Sequence, residues 1–223
     1  MKRRDFLAQA AGAGLLASPM AQSHAQGGGF VEGRHYVRLA TPQPVLAPAG
    51  KIEVVEFFWY GCPHCNAFEP SLEAWAKTLP ADVVFRRMPV AFRSQHEVHQ
   101  RLYFTLEAMG QLENLHRRVF AAIHVDHLTL DRSDTIADFV AKNGVDRAKF
   151  LEVFDSFAVQ SKARQARQLS EGYKIDGVPA LGIHGRFYTS PSLVGGEGVP
   201  VAQAHTMALR LTDQLIAQVR AHR

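Results

Sequence analysis

Phe57-Phe58-Trp59-Tyr60-Gly61-Cys62-Pro63-His64-Cys65 decides how this chain is read. It holds both cysteines of the protein, two residues apart, at the end of an apolar run. Before it, Lys51 to Phe58 is rich in β-formers and nearly all apolar at its end, which predicts a central strand. After it, Phe68, Leu72, Trp75 and Leu79 recur at steps of three or four, the period of a helix. The pair therefore falls where a buried strand hands over to a helix, with Cys62 near the first turn. Pro63 suits the first helical position, where its missing N–H leaves nothing unsatisfied.

That position has chemical consequences. A helix start presents free N–H groups and the positive end of the macrodipole, and both favour a thiolate over a thiol. His64 adds a positive charge or a donor. A thiolate attacks disulfides, and a stabilised thiolate also leaves readily. The reading is a redox dithiol, with Cys62 the exposed nucleophile and Cys65 the resolving thiol one turn further in. A structural disulfide here would constrain little unfolded chain. A zinc site lacks a second cysteine pair, and a c-type haem site needs His where Asn66 stands. His96, His99, His116, His124 and His127 follow no metal-site spacing and read as surface histidines. No metal is expected, and no cofactor other than the Cys62–Cys65 disulfide itself.

Outward from the dithiol, the 223-residue chain has room for one domain with an insertion. Residues 1–25 combine a basic start, Lys2-Arg3-Arg4, with a short Ala- and Gly-rich stretch and the small-x-small sequence Ser23-His24-Ala25. This is an export signal, with paired arginines resembling a twin-arginine leader and a general secretory signal as the other route. Export places the dithiol in an oxidising compartment, a bacterial periplasm. Without those residues, 22 Lys and Arg face 20 Asp and Glu, too even a balance to argue for nucleic acid. No later stretch is long and apolar enough to span a membrane.

Residues 26–34 form a Gly-rich linker, and residues 41–50, with three prolines, a loop. Val83 to Val90 is the next strand, completing a βαβ unit. Helical periods follow over Val98–Met109 and Leu112–Ile123. A third helix is capped by Ser133 or Asp134 and ended by Asn143-Gly144, a fourth is capped by Asp146, and a long one runs to about Glu171. Ala180–Ile183 and Arg186–Thr189 read as a hairpin turning at His184-Gly185, Leu193 to Pro200 as loop, and Val201–Val219 as a last helix. The order fits an α/β protein: a central mixed sheet flanked by helices, interrupted by an inserted helical domain. Its parts are residues 35–92, the insert 93–157, and residues 158–223.

Glu56-Phe57-Phe58, then Cys62-Pro63-His64-Cys65, and much later Gly177-Val178-Pro179-Ala180 resemble the DsbA family of exported thiol:disulfide oxidoreductases, over about Val37 to Arg220. The resemblance implies a thioredoxin fold and an oxidase that donates its disulfide to exported proteins with free cysteines. It implies recharging by a quinone-linked membrane partner of the DsbB type, and a monomer. Cys62 would form the mixed disulfide, Cys65 would close the catalytic disulfide, and His64 would stabilise the Cys62 thiolate. Val178-Pro179 would be the cis-proline loop that pairs with substrate, with Tyr60 and Gly61 beside it. Glu56 would be the buried acid that moves the Cys65 proton, paired with Arg87 where the family often has lysine. The DsbA type example has a nucleophile pKa of about 3.5 and a potential of about −120 mV. The structural disulfide of larger members has no cysteines here to form it. The other readings are a reductase or isomerase, and a non-catalytic peptide-binding chaperone.

Overall fold

A computed structural model describes residues 29–222, so the expected export signal and residues 26–28 of the linker lie outside the described residues. In chain order the elements are β1 (Tyr36–Arg38), β2 (Ile52–Phe58), α1 (Pro63–Ala76), β3 (Val83–Pro89), a 3-10 turn at Ser94–His96, α2 (Glu97–Ala108), α3 (Leu112–His124), α4 (Ser133–Lys142), α5 (Arg147–Phe154), α6 (Phe157–Gly172), β4 (Ala180–Ile183), β5 (Phe187–Thr189), α7 (Pro191–Gly195) and α8 (Val201–Ala221). The strands form one sheet in the order β1-β5-β4-β2-β3. Only β2 and β3 run parallel, with Glu56 opposite Arg87 in their register; β4 joins the other edge of β2 antiparallel. This is the mixed sheet with helices inserted between β3 and β4 that the sequence predicts.

All seven residues of β2 are buried, because both faces of the sheet are covered. Val55 and Phe57 on one face, with Phe58 at the end of the strand, join a cluster with Leu102, Phe120, Phe150 and Tyr173 from the inserted helices and the loop after α6. On the other, Ile52 and Val54 pack with Phe68 and Leu72 of α1 and Leu211 and Leu215 of α8. The β4–β5 hairpin turns through His184 (φ 49°) and Gly185 (φ 66°), the paired left-handed residues that match strand twist.

Two local expectations change, and one helix carries a feature that the sequence reading did not address. Arg132, held extended at φ −137° and ψ 153°, is the N-cap of α4, so the helix begins at Ser133 and neither Ser133 nor Asp134 caps it. The Asp134 carboxylate instead binds the Arg132 guanidinium at 3.0 Å. The stretch expected as loop after Leu193 contains the end of α7, whose N-cap is Ser190; its hydroxyl accepts from the Leu193 N–H at 3.1 Å. Pro70 lies inside α1, where it removes the hydrogen bond that the Asn66 carbonyl would accept.

Candidate active site

Cys62 is the N-cap of α1, in extended conformation at φ −87° and ψ 117°, with no side-chain cap and Pro63 at the first helical position. Its own N–H donates to the Trp59 carbonyl at 2.9 Å, and its carbonyl accepts from the Asn66 N–H at 3.1 Å. The helix start therefore aims its free N–H groups at Cys62. The turn entering it needs Gly61, since a Cβ there would lie 2.4 Å from the Trp59 ring.

The peptide bond between Val178 and Pro179 is cis. It brings the Val178 carbonyl to 3.4 Å from Cys62 Sγ, where it accepts from the thiol. This loop covers the cysteine that the sequence reading makes exposed: Cys62 is only 7% exposed, and Cys65 not at all. Both are free thiols. Beside them His64, Val178, Pro179, Ser192, Val201 and His205 line a groove of about 310 Å³.

The two thiols are driven apart electrostatically. The Cys62 thiol is lowered to about 6, first by a hydrogen bond from Cys65, then by the Cys65 and His64 backbone amides against opposing burial, and last by the His64 charge. The direction agrees with the helix-start argument. The extent is less than the family value implies, and His64 contributes through its amide before its imidazole. Burial, followed by the hydrogen bond to Cys62, pushes the Cys65 thiol well up.

Glu56 is fully buried, and Arg87 Nε lies 3.0 Å from its Oε2. Burial first, and the Glu69 charge second, raise its carboxyl to about 8 against the opposing pull of Arg87. Its charge in turn acts on the Cys65 thiol, which places the two within electrostatic reach. Arg87 has a second ion-pair partner, Glu69, which the sequence reading missed. The helical period carries the signal: Cys65, Phe68, Glu69 and Leu72 form the buried face of α1.

The Tyr60 side chain does not line the groove beside the cysteines. Its ring is fully buried among aromatic neighbours, its hydroxyl meets His116 Nδ1 at 2.8 Å, and its carbonyl meets His124 Nε2 at 2.8 Å. The expectation of surface histidines also fails for most of them. His99 and His116 are buried, His96 and His124 are partly buried, and only His127 of the five is exposed. The aromatic core around Phe58 and Tyr60 draws them in: His96 stacks on Trp59 at 4.0 Å, and His116 packs edge-on to Phe58 at 5.3 Å. Among the described residues no group of His, Cys, Asp and Glu could hold a metal ion.

Known proteins resemble this chain in sequence and in fold. A family model described as DSBA-like thioredoxin domain matches residues 87–205. The thiol:disulfide interchange protein DsbA of Pseudomonas aeruginosa is 43% identical over 88% of this chain and 89% of its own length. That of Bordetella pertussis is 45% identical over 97% of this chain and 96% of its own. A crystal structure of Pseudomonas aeruginosa DsbA superposes with a TM-score of 0.80 at 42% identity, covering 86% of this chain and 96% of that one. The Xylella fastidiosa oxidoreductase DsbA superposes at 0.73 and 31% identity, covering 84% and 96%.

Proposed function

From the premise that this chain belongs to the DsbA family of thiol:disulfide oxidoreductases, we propose how its residues divide the work of disulfide donation. A substrate thiolate attacks Cys62 Sγ of the Cys62–Cys65 disulfide. The S–S bond breaks, its electron pair goes to Cys65 Sγ, and that sulfur takes a proton from Glu56. A second substrate thiolate then attacks the substrate sulfur of the mixed disulfide and releases the Cys62 thiolate. The opposed shifts of the two thiols carry this reading: Cys62, at about 6, is the better leaving group at neutral pH, whereas Cys65 must be protonated to leave. The Val178 carbonyl and Pro179, which offers no N–H, leave a backbone edge for an extended substrate segment.

The clients would be exported proteins with free cysteines, in a periplasm reached through the leader in residues 1–25. A quinone-linked membrane protein of the DsbB type would reoxidise Cys62 and Cys65. Among the described residues no helix is long and apolar enough to cross a membrane. Equilibration with glutathione tests the assignment as a donor. A potential near that of DsbA, about −120 mV, is expected, and one near the thioredoxin value of about −270 mV would overturn it in favour of a reductase. Cys62→Ser should abolish oxidation, whereas a chaperone activity, the binding of unfolded chains, would survive that change.

A further inference from the structure

Four residues from four elements meet beneath the dithiol: Glu56 on β2, Glu69 on α1, Arg87 on β3 and His116 on α3. Arg87 pairs with both carboxylates, so one guanidinium charge serves two acids. The acids differ in surroundings. Glu56 has only Arg87, and neither of its oxygens is in a well-formed hydrogen bond. Glu69 accepts a hydrogen bond from Arg87 on Oε1, and His116 Nε2 approaches that oxygen at 3.5 Å without forming one, so Glu69 has one donor where Glu56 has none. The Tyr60 hydroxyl, kept protonated by burial, pairs with His116 Nδ1 at 2.8 Å, and the tautomer that accepts there carries its proton on Nε2, facing Glu69. A cleft of about 560 Å³, lined by Glu69, Arg87, His116 and Arg117 among others, adjoins this cluster from outside.

We propose that Glu69, held by His116 and Arg87, is a positioning residue that keeps a proton on Glu56 beneath the dithiol, and that the cleft beside Glu69 is where solvent renews that proton. Two buried carboxylates sharing one cation do not both ionise readily. The proton settles on the acid with fewer donors, which is Glu56. The directions of titration agree. Although burial raises Glu69, His116, Arg87 and Arg117 outweigh it and hold Glu69 below its ordinary range. Tyr60, Tyr103 and Cys65 complete the titratable groups that act with Glu56, and burial keeps all three protonated at neutral pH. The charges acting on Glu56 are therefore those of Glu69 and Arg87. In the exchange, Glu56 gives its proton to Cys65 and becomes a carboxylate. It then takes one from water through the cleft, so one solvent proton is consumed for each substrate thiolate that enters.

This inference rests on the proposed role of Glu56, and the test separates the two. The rate of mixed-disulfide formation with a cysteine-containing peptide is followed from pH 5 to pH 10 for the full chain and for Glu69→Gln, Glu69→Asp, Glu56→Gln and the Glu56→Gln/Glu69→Gln double variant. Relative to Glu56→Gln, the wild-type profile should break near pH 8, where Glu56 loses its proton. In Glu69→Gln the break should move down by one pH unit or more, a tenfold smaller protonated fraction above it. Glu69→Asp should restore it, and the double variant should match Glu56→Gln. A break that stays in place in Glu69→Gln overturns the inference and leaves the role of Glu56 standing. A wild-type profile identical to that of Glu56→Gln overturns both. If Glu69→Gln does not fold, ¹³C titration of the wild-type carboxyls decides: separate steps, Glu56 late and Glu69 early, are expected, and simultaneous ionisation of both below pH 6 overturns the inference.

Discussion

Glu53–Arg86 and Glu56–Arg87 use the same residue types on the same two strands, on opposite faces of the sheet. Side chains alternate along β2, so residues three apart point to opposite sides. Glu53 takes Arg86 Nε at 2.7 Å on one oxygen and Nη2 at 3.3 Å on the other. It also accepts the Leu46 N–H at 3.0 Å, which ties the proline-rich loop to the sheet. Glu56 has a single 3.0 Å approach from an arginine it shares with Glu69. A fork-shaped pair with a third donor satisfies a buried carboxylate; half an arginine does not. Formal pairing is thus a poor guide to buried charge, and the number of donors per carboxylate is the better one. The first pair holds a loop in place, and the second leaves a buried carboxyl raised to about 8.

The largest break in this contrast should come from the arginines. Arg87→Met leaves the buried Glu69 carboxylate without its guanidinium, beside a protonated Glu56, and should cost about 3–5 kcal/mol at pH 7, a loss that shrinks in acid as Glu69 takes up a proton. Arg86→Met should cost less, because Glu53 keeps the Leu46 N–H. Denaturant melts of both variants at pH 5 and pH 7 check the order, and equal, pH-independent losses would erase the distinction.

Next in size is the pH dependence of stability itself. The Glu56 carboxyl, about 8 when folded, lies above the unfolded value of about 4.3. Its contribution is full below the unfolded value and is lost as pH rises through the folded one. Wild-type stability should fall from pH 5 to pH 9 on this account. Glu56→Gln should flatten that fall, whereas Glu53→Gln should lower stability and leave the slope.

The smallest effect belongs to the dithiol. Cys62, at about 6 when folded, lies below the unfolded thiol at about 8.5. Its stabilisation is therefore full above the unfolded value and lost as pH falls through the folded one. At pH 7 it is worth ~1.4 kcal/mol, against ~2 kcal/mol for closing so short a loop in the chain-entropy picture. A folded value of about 3.5, as in the DsbA type example, would make the reduced form clearly the more stable; here the two forms should be nearly level at pH 7. The reduced form should gain on the oxidised one by about 1.4 kcal/mol per pH unit between pH 6 and pH 8.5, and by nothing below. Paired melts of the two redox forms measure the gap. A flat gap would show that the Cys62 thiolate is not stabilised, and a slope altered by Glu53→Gln would tie the two faces of the sheet together.

Much of this was legible in the chain because it is local. Proline after Cys62, the strand before it, the three- and four-residue steps of α1 and the His184-Gly185 turn are each decided by neighbours a few residues apart. Glu56 beside Phe57 and Phe58 announced a buried acid, and its pairing with Arg87 follows from the parallel register of β2 and β3. The resemblance to a known family supplied the cis bond before Pro179, which spacing alone does not encode.

What only the tertiary structure decided is how groups far apart in sequence share charge and shelter. Glu69 and His116 stand 47 positions apart and meet because α3 packs against α1. Cys62 is sheltered by a carbonyl 116 residues away, and the histidines are drawn into an aromatic core assembled from separate elements. Periodicity in a sequence records which face of an element is apolar. Which charge arrives opposite which, and how many donors it finds there, depends on the packing of elements whose patterns carry no reference to one another.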